Sequence, residues 1–492
     1  MKHSPYLMPV TAMIFLLLSA GNANAQAWQN INTGTGSTLT EIYFVNENTG
    51  WISGAGGLLM RSTNGGINWT NLNSGTGNVL WALLFIDQNT GWACGNGGTM
   101  LKTTDGGAVW NPQTTGAGVP LWYVHFTDPQ NGWTSGSGGL ILRTTNGGTT
   151  WNSQSSGTGN TLYSVFFSSN TTGWVTGDGG FIARTTNSGL NWIQQISGTF
   201  ELLHCANFAN SSTGWITGFS GRIISTSNSG ANWTQQSTGT GVFIRSIDFA
   251  GPYHGFAAGD SGTILSTSNA GQNWSQNNSG AFSHFYSVCT LNPLTAWAVG
   301  ENGTLRRTTT GGIEPKTLGL TFLIEGMYDP GNDSLVSDSA QVIVRQSIFP
   351  FNPVDTSLSV TDAQGNCEFE FLKASNGVPY YLEVNHRNSI NTWSANTVAF
   401  VSGTLSYDFT DDSSKTYGNN VILKGPRYCI YSGDINKDGI IDATDAGLVD
   451  NDAAAFATGY LPSDVTGDGF VDGEDYAVTD NNSFNFIGVI SP

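Results

Sequence analysis

The stretch TGWACGNGGTMLKTTDGGAVW at residues 90–110 decides the fold, because its landmarks return every 41 residues over much of the chain. The tryptophan that ends the stretch has counterparts at Trp28, Trp69, Trp151, Trp192, Trp233 and Trp274. The tryptophan near its start has counterparts at Trp51, Trp133, Trp174, Trp215 and Trp297, with Phe256 in the remaining copy. A constant period without insertion or deletion indicates one structural unit copied seven times.

Each copy contains four segments that are typical of short strands. The first places apolar residues two apart, as in Ile42 and Phe44, and the second reads Thr-Gly-Trp-x-x-Gly. A third apolar segment is followed by a turn such as Asn64-Gly65-Gly66, and Trp69 opens the fourth. Four strands in a repeat of this length are typical of a propeller blade. The chain is therefore predicted to be mostly β, with a seven-bladed β-propeller over residues 26–314.

The ends of the repeat region predict how the ring closes. The seventh copy has Pro315 where its last strand should open with a tryptophan. One step before Trp69 lies Trp28, so the N-terminal segment Trp28–Thr33 is predicted to complete the blade formed by residues 283–312. Joining the two ends in one sheet removes an exposed sheet edge.

The turns resemble a known family. Thr103–Trp110 matches the Asp-box, or bacterial neuraminidase repeat, and most other copies place Asn where Asp105 stands. Asn, Asp and Gly at these positions suit a tight turn. Together with Thr-Gly-Trp-x-x-Gly, the turn looks like the photosystem II assembly factor family (Ycf48/Hcf136-like). That resemblance implies a propeller that binds a protein or glycan partner without catalysis.

Candidate catalytic groups are few, and no catalytic residue is assigned. The basic side chains recur at one offset of the repeat, which predicts a structural role: Arg61, Lys102, Arg143, Arg184 and Arg307. Scattered acids leave a glycoside hydrolase, sialidase- or xyloglucanase-like, as an alternative, because two carboxylates across a pocket can cleave a glycoside. These acids are Asp87, Asp128, Asp178, Asp248 and Asp260.

The N-terminus predicts export. Lys2 precedes an apolar run from Met8 to Leu18, and Ala23-Asn24-Ala25 offers small residues for cleavage. Residues 1–25 are therefore predicted to be a signal peptide that directs the protein to the outside or the surface of the cell. No later apolar run is long enough to span a membrane, so the mature chain is expected to have no membrane span.

Charge and cysteine content exclude further classes. Residues 26–314 carry 11 acids and 8 bases, and residues 315–492 carry 24 acids and 8 bases, so nucleic acid is not an expected partner. The five cysteines form no zinc-like cluster. Cys94 fills a position held elsewhere by Ser or Thr and is predicted to be buried, whereas Cys367 and Cys429 are considered as a disulfide pair.

The repeat is lost over residues 315–427, where alternating apolar residues and turns predict a β-sandwich. One turn is Asp362–Gly365, and the strand Tyr380–Val384 follows later in the segment. The pattern looks like the immunoglobulin- or transthyretin-like modules of secreted bacterial proteins.

Residues 428–492 contain two loops with the spacing of calcium ligands. Oxygen donors stand at loop positions 1, 3, 5, 9 and 12, with a backbone carbonyl at position 7 and glycine at position 6. The first loop provides Asp434, Asn436, Asp438, Ile440, Asp442 and Asp445. The second, 30 residues later, provides Asp464, Thr466, Asp468, Phe470, Asp472 and Asp475. Two bound Ca²⁺ ions are expected, and the second more weakly because Thr466 replaces Asn or Asp.

The duplicated loops resemble type I dockerin over residues 430–485, which implies a small α-helical module with paired EF-hand-type loops. The resemblance implies attachment to a cohesin-like or envelope protein, and chelation is expected to unfold this module while sparing the propeller. The residues at loop positions 10 and 11, Ala443-Thr444 and Gly473-Glu474, depart from the Ser-Thr pattern that helps dockerins recognise cohesins.

The leading hypothesis from the sequence is an exported, non-catalytic binding or scaffold protein with a calcium-dependent tail. One alternative is a polysaccharide-active hydrolase displayed through a dockerin. A structural cell-surface protein is the other.

Overall fold

The structure is a computed structural model that describes residues 27–492. The signal peptide expected over residues 1–25 lies outside the described residues. The chain from residue 27 onward contains many short strands and two α-helices, so the fold is mostly β. None of its helices has the length and apolar character needed to cross a membrane.

Residues 29–308 form seven four-stranded sheets, which we number 1 to 7 in the order of their first complete hairpin. β1 (Gln29–Asn30) belongs to sheet 7. Sheet 1 contains β2 (Leu39–Phe44), β3 (Gly50–Gly54), β4 (Leu59–Ser62) and β5 (Thr70–Leu72). Sheet 2 contains β6 (Leu80–Phe85), β7 (Gly91–Gly95), β8 (Met100–Thr103) and β9 (Asn111–Pro112). Sheet 3 contains β10 (Leu121–Phe126), β11 (Gly132–Gly136), β12 (Leu140–Thr144) and β13 (Asn152–Ser155).

The remaining four sheets repeat this antiparallel order. Sheet 4 contains β14 (Leu162–Phe167), β15 (Gly173–Gly177), β16 (Phe181–Thr185) and β17 (Ile193–Gln195). Sheet 5 contains β18 (Leu203–Phe208), β19 (Gly214–Gly218), β20 (Ile223–Thr226) and β21 (Thr234–Gln236). Sheet 6 contains β22 (Ile244–Ala250), β23 (His254–Gly259), β24 (Ile264–Thr267) and β25 (Ser275–Asn277). Sheet 7 contains β26 (Phe285–Thr290), β27 (Ala296–Gly300), β28 (Leu305–Thr308) and β1.

The seven sheets close into a ring. The first strand of each sheet contacts the first strand of the next, and β26 contacts β2, so these strands lie innermost. Closure joins the two ends of the repeat region, because Gln29 pairs with Arg307 and Asn30 with Arg306 in an antiparallel ladder. Trp28 is fully buried against Phe256 at 5.4 Å between ring centroids. The N-terminal segment therefore completes sheet 7, as the phase of the repeat predicts.

The repeated tryptophans join neighbouring sheets. The ring of Trp51 stacks on Phe85 of sheet 2 at 3.6 Å between centroids, and its Nε1 donates to the carbonyl oxygen of Gly106 in the turn of the same sheet. The same stack and hydrogen bond occur at Trp92, Trp133, Trp174, Trp215 and Trp297. Each such aromatic pair contributes about 1 kcal/mol beyond its buried area. The repeat thus encodes contacts between sheets as well as within them.

Residues 315–429 contain two larger sheets and two two-stranded sheets. Their strands are β29 (Lys316–Thr321), β30 (Tyr328–Asp329), β31 (Ser334–Leu335), β32 (Ser339–Gln346), β33 (Pro353–Val360), β34 (Asn366–Phe371), β35 (Tyr380–His386), β36 (Thr392–Trp393), β37 (Thr404–Asp408), β38 (Ile422–Lys424) and β39 (Arg427–Cys429). One larger sheet has the order β34-β29-β37, with β29 and β37 parallel, and the other has the order β33-β32-β35-β36. The two-stranded sheets are β30-β31 and β38-β39. We call residues 315–427 the two-sheet region.

Residues 428–492, which we call the tail, contain α1 (Ala443–Ala454) and α2 (Gly473–Phe484). The core of the two-sheet region continues into the tail, because Ile430 and Ile441 belong to the same buried cluster as Leu320, Val342 and Phe369. This core therefore crosses the boundary expected at residue 428, and a smaller cluster of Val449, Val465 and Val471 lies within the tail.

All five cysteines are buried and free. Cys367 and Cys429, considered as a pair from the sequence, form no disulfide. Cys94 is fully buried, as predicted from the position it shares with small polar residues of other repeats.

Candidate functional site

One position of the repeat varies in its chemistry although a large apolar residue always precedes it, and it faces a mouth of the ring. This position is the second residue of each innermost strand, and it is occupied by Thr40, Trp81, Trp122, Tyr163, His204, Arg245 and Tyr286. In every sheet the ladder between the first two strands slips by one residue here, as between Leu121 and Tyr123. A β-bulge leaves one residue unpaired and re-aims its side chain. Seven bulges thus turn seven different side chains toward one pocket.

We call this cavity the mouth pocket; it has a volume of about 300 Å³. Its floor includes third residues of the innermost strands, among them Glu41 and Tyr123. Aromatic rings follow one another around the wall: Trp81 and Trp122 lie 4.9 Å apart, and Trp122 and Tyr163 lie 5.4 Å apart. A concave, largely aromatic pocket with few polar groups is the usual form of a ligand site.

A second varied position holds the wall in place. It is the residue that follows the second strand of each sheet, occupied by Ala55, Asn96, Ser137, Asp178, Phe219, Asp260 and Glu301. Trp81 Nε1 donates to Asn96 Oδ1 at 2.7 Å, and Trp122 Nε1 donates to Ser137 Oγ at 3.0 Å. Both indoles are therefore oriented before any ligand arrives.

The polar side of the pocket is formed by Arg245 and Glu41. The Arg245 guanidinium lies between the rings of Phe243 and Tyr286, at 4.6 and 4.7 Å from their centroids. Its Nε donates to Asp260 Oδ1 at 2.6 Å, whereas its two terminal nitrogens find no acceptor among residues 27–492. Arg245 can therefore still donate to a ligand.

Burial keeps the other titratable groups of the pocket uncharged at neutral pH. Burial raises the pKa of Glu41 to about 8, although Ser287 Oγ donates to its Oε1 at 2.5 Å and acts in the opposite direction. Burial also lowers the pKa of His204 to about 4. Arg245 is then the charged side chain that lines the pocket at neutral pH, and its charge is partly balanced by Asp260.

The repeated basic residues do not reach this pocket. Arg61 lies over the ring of Trp51 at 5.5 Å from the centroid, and the same contact recurs in four other sheets. The pairs are Lys102 with Trp92, Arg143 with Trp133, Arg184 with Trp174 and Arg307 with Trp297. These basic side chains therefore lie against the tryptophans that join neighbouring sheets, as a structural role would require.

The calcium-type loops lead directly into the two helices. Asp442 and Asp472 cap α1 and α2, and Asp445 and Asp475 complete capping boxes. The carboxylate of Asp445 accepts from the backbone N–H groups of Ile435 and Asn436. In the second loop, Asp475 accepts from Val465 and Thr466. The two loops therefore lead into their helices in the same way.

The donor chemistry of the loops suits Ca²⁺, which prefers oxygen ligands. Asp434 Oδ1 is buried without a hydrogen-bond partner, as an oxygen reserved for a cation would be. Asp438, Ile440, Asp468 and Phe470 are exposed residues of the loops. Over residues 27–492, however, no group of three or more His, Cys, Asp or Glu side chains is arranged so that it could hold a metal ion. The donor types fit calcium, and the carboxylates are not gathered around one point.

Comparison with known proteins agrees with the ring of sheets. The family model of the photosynthesis system II assembly factor YCF48 matches residues 20–117, 118–197 and 194–314 in succession, which is more than half of the chain. The chain belongs to the YCF48 family. No curated protein matches it.

Two solved YCF48 structures have the same fold as the ring. One is bound to a D1 peptide; it is 23% identical, covers 59% of this chain and 99% of its own, and gives a TM-score of 0.51. The other, from Cyanidioschyzon merolae, is 20% identical, covers 57% of this chain and 98% of its own, and gives a TM-score of 0.50. The β-propeller and the Ycf48-like repeat predicted from the sequence are thereby confirmed.

The sequence reasoning did not find the mouth pocket. Its residues follow a repeated apolar position but are not themselves repeated, so a search for repeated residues passes over them. The available signal was variation: at one position seven copies carry Thr, Trp, Trp, Tyr, His, Arg and Tyr. A site that combines side chains from all blades must differ between copies.

Proposed function

We propose that this protein is an exported, non-catalytic binding protein whose seven sheets are the blades of a propeller. The mouth pocket takes a segment of a protein partner and inserts one of its large apolar side chains between the aromatic rings. The observation that carries the proposal is the pocket itself, where seven bulges converge on an aromatic wall with one available guanidinium. Membership of the YCF48 family supports it, because one YCF48 structure is bound to a peptide.

The pocket chemistry favours recognition over cleavage. Glu41 is protonated at neutral pH and is held by Ser287, while Arg245 offers hydrogen bonds from its terminal nitrogens. A peptide has carbonyl oxygens beside every side chain, so an inserted apolar residue can place an acceptor near Arg245. Aromatic and arginine side chains are the groups that most often dominate protein interfaces.

The experiment is affinity capture from culture supernatant and envelope extract with residues 26–492, followed by mass spectrometry of the captured material. Trp122→Ala removes part of the aromatic wall, and Trp69→Ala is the matched control, because Trp69 is also half-buried but lies outside the pocket. A protein captured by the wild type and the control but not by Trp122→Ala supports the proposal. Capture of a glycan alone, or equal capture by all three proteins, rejects it.

For the rest of the chain we propose an immunoglobulin- or transthyretin-like sandwich followed by a dockerin-like tail that binds Ca²⁺ and attaches to a cohesin-like or envelope protein. Bound Ca²⁺ would supply positive charge to the loop carboxylates, with Asp434, Asn436, Asp438, Ile440, Asp442 and Asp445 around the first ion. Asp464, Thr466, Asp468, Phe470, Asp472 and Asp475 would hold the second. Titration calorimetry with Ca²⁺ should show two binding events, the weaker one lost in Asp468→Ala; no heat of binding rejects this part.

A further inference from the structure

The tail carries a large excess of negative charge. Residues 428–492 contain 12 carboxylates, and Lys437 is their one basic side chain. Crowded like charges destabilise a compact state. In a dockerin-like module, bound calcium would relieve this repulsion.

The two-sheet region places a cation beside the second loop. Arg387 Nη2 lies 3.7 Å from Asp464 Oδ2, the carboxylate at loop position 1, and Nη1 donates to the carbonyl oxygen of Leu461. The Arg387 guanidinium is also held by the two-sheet region, because its Nε donates to the carboxylate of buried Asp338 at 2.8 Å. Its plane lies over the ring of Tyr460 at 4.5 Å from the centroid. One side chain thus joins the core of the two-sheet region to the second loop.

At the first loop, a basic side chain of the tail contacts the two-sheet region. Lys437 Nζ lies 3.8 Å from Asp434 Oδ2 and donates to the carbonyl oxygen of His386 at 2.9 Å. It also donates to the carbonyl oxygen of Ser389. The segment His386–Asn391 is therefore held between both loops, since Asn388 also donates to the Asp464 carbonyl oxygen at 3.0 Å.

Further contacts make the junction continuous. Asn482 of α2 donates to Glu325 at 2.6 Å, and the backbone N–H of Ile430 donates to Leu323 at 2.8 Å. Gly326 lies so close to the second loop that a Cβ there would approach the Val465 carbonyl oxygen to 2.3 Å. These contacts surround the shared core that includes Ile441.

We propose that residues 386–391 are an internal docking segment for the tail, with Arg387 and Lys437 providing counter-charge to Asp464 and Asp434, so that the tail stays folded without a metal ion. This changes the expectation that chelation unfolds residues 430–485. It also predicts which face an outside partner can use, because the face that carries Asp464 and Val465 is already covered. The proposal stands whether or not the loops bind calcium.

The test is hydrogen–deuterium exchange of residues 26–492, followed in α1 and α2, in calcium and in EDTA. Arg387→Gln removes the guanidinium next to Asp464. Arg345→Gln is the matched control, because Arg345 also pairs with a buried carboxylate, Glu383, and lies over Trp393, yet it makes no contact with the tail. The wild type and the control should keep both helices protected in EDTA. Arg387→Gln should exchange about 100-fold faster in EDTA, as expected when one partner of a buried ion pair is removed.

The outcomes separate this proposal from calcium binding. If calcium restores protection to Arg387→Gln, both proposals are supported; if protection is lost in calcium and in EDTA, the docking segment stands and the second calcium site fails. Wild-type helices that exchange freely in EDTA overturn the docking proposal, as does equal exchange in Arg387→Gln and Arg345→Gln. Lys437→Gln leaves buried Asp338 paired, so it tests the first loop should Arg387→Gln disrupt the two-sheet region. Unchanged exchange in Lys437→Gln in EDTA would then reject the proposal.

Discussion

Glu41, at the floor of the mouth pocket, should make the stability of the propeller depend on pH. Burial raises the pKa of this carboxyl from 4.5 to about 8. The folded protein therefore keeps a proton that the unfolded chain releases above pH 4.5. Because the native state binds more protons in this window, the free energy of unfolding falls as pH rises from about 4.5 to about 8 and then levels off.

The size of the fall follows from the pKa difference. Each pKa unit corresponds to about 1.36 kcal/mol, so a fully buried Glu41 would contribute a fall of about 5 kcal/mol. Glu41 is half-buried and opens into the pocket, where water screens the ionised form, so about 5 kcal/mol is the upper bound on this fall. Burial also raises the pKa of the nearby Asp248, but only to about 6. The interval from pH 6 to pH 8 therefore reports mainly on Glu41.

Glu41→Gln keeps the shape of the side chain and removes its titration. The variant should match the wild type near pH 4 and exceed it by up to about 5 kcal/mol above pH 8. Guanidinium unfolding followed by tryptophan fluorescence measures this, since 15 of the 16 tryptophans lie in the ring. Glu47→Gln, on an exposed loop, is the control for loss of one negative charge. Equal pH dependence of Glu41→Gln and the wild type between pH 6 and 8 would refute the assignment.

Three further predictions concern the fold and are measured by the same unfolding experiment. Trp28→Ala should cost about 4 kcal/mol, because it empties a fully buried site where the ring closes; a loss below 1 kcal/mol would contradict that closure. Gly57→Ala should be less stable than Gly56→Ala by about 2 kcal/mol or more, since both residues have positive φ but only at Gly57 would a Cβ meet a carbonyl oxygen, at 1.9 Å. Arg143→Met should lower the free energy of unfolding by about 1 kcal/mol, because the contact of the guanidinium with Trp133 is lost. An unchanged unfolding midpoint would show that this contact does not stabilise the ring.

The ring could be predicted from the sequence because the same contacts recur in nearly every copy. A tryptophan such as Trp51 must stack on Phe85 and reach the carbonyl of Gly106, so position, size and turn geometry are all fixed by one interface. Ring closure could be predicted for the same reason, since Trp28 occupies the tryptophan position of the repeat that is missing from the seventh copy. Periodic packing leaves a periodic pattern in the sequence.

The junction between the two-sheet region and the tail could not be predicted in this way. Arg387 and Asp464 are 77 residues apart, and neither belongs to a repeat that would relate their positions. The loop pattern identifies donors for calcium, but it does not show that Lys437 contacts the carbonyl of His386. Contacts between unrelated segments depend on how the two cores merge, and that information is spread over many weak apolar contacts.

The mouth pocket combines a periodic feature with a non-periodic one. The bulge recurs in every copy, but the side chain that it presents differs from copy to copy. The same backbone irregularity therefore sets the position of each side chain in all seven sheets. Since the bulged residue pairs with no partner in the ladder, its identity is free of the packing demands that make the rest of the repeat constant. Trp122 and Arg245 can therefore occupy equivalent positions with very different chemistry while the ring around them stays the same. A ring of this kind can change its ligand by substitution at the bulges alone, which is why we place recognition at this mouth.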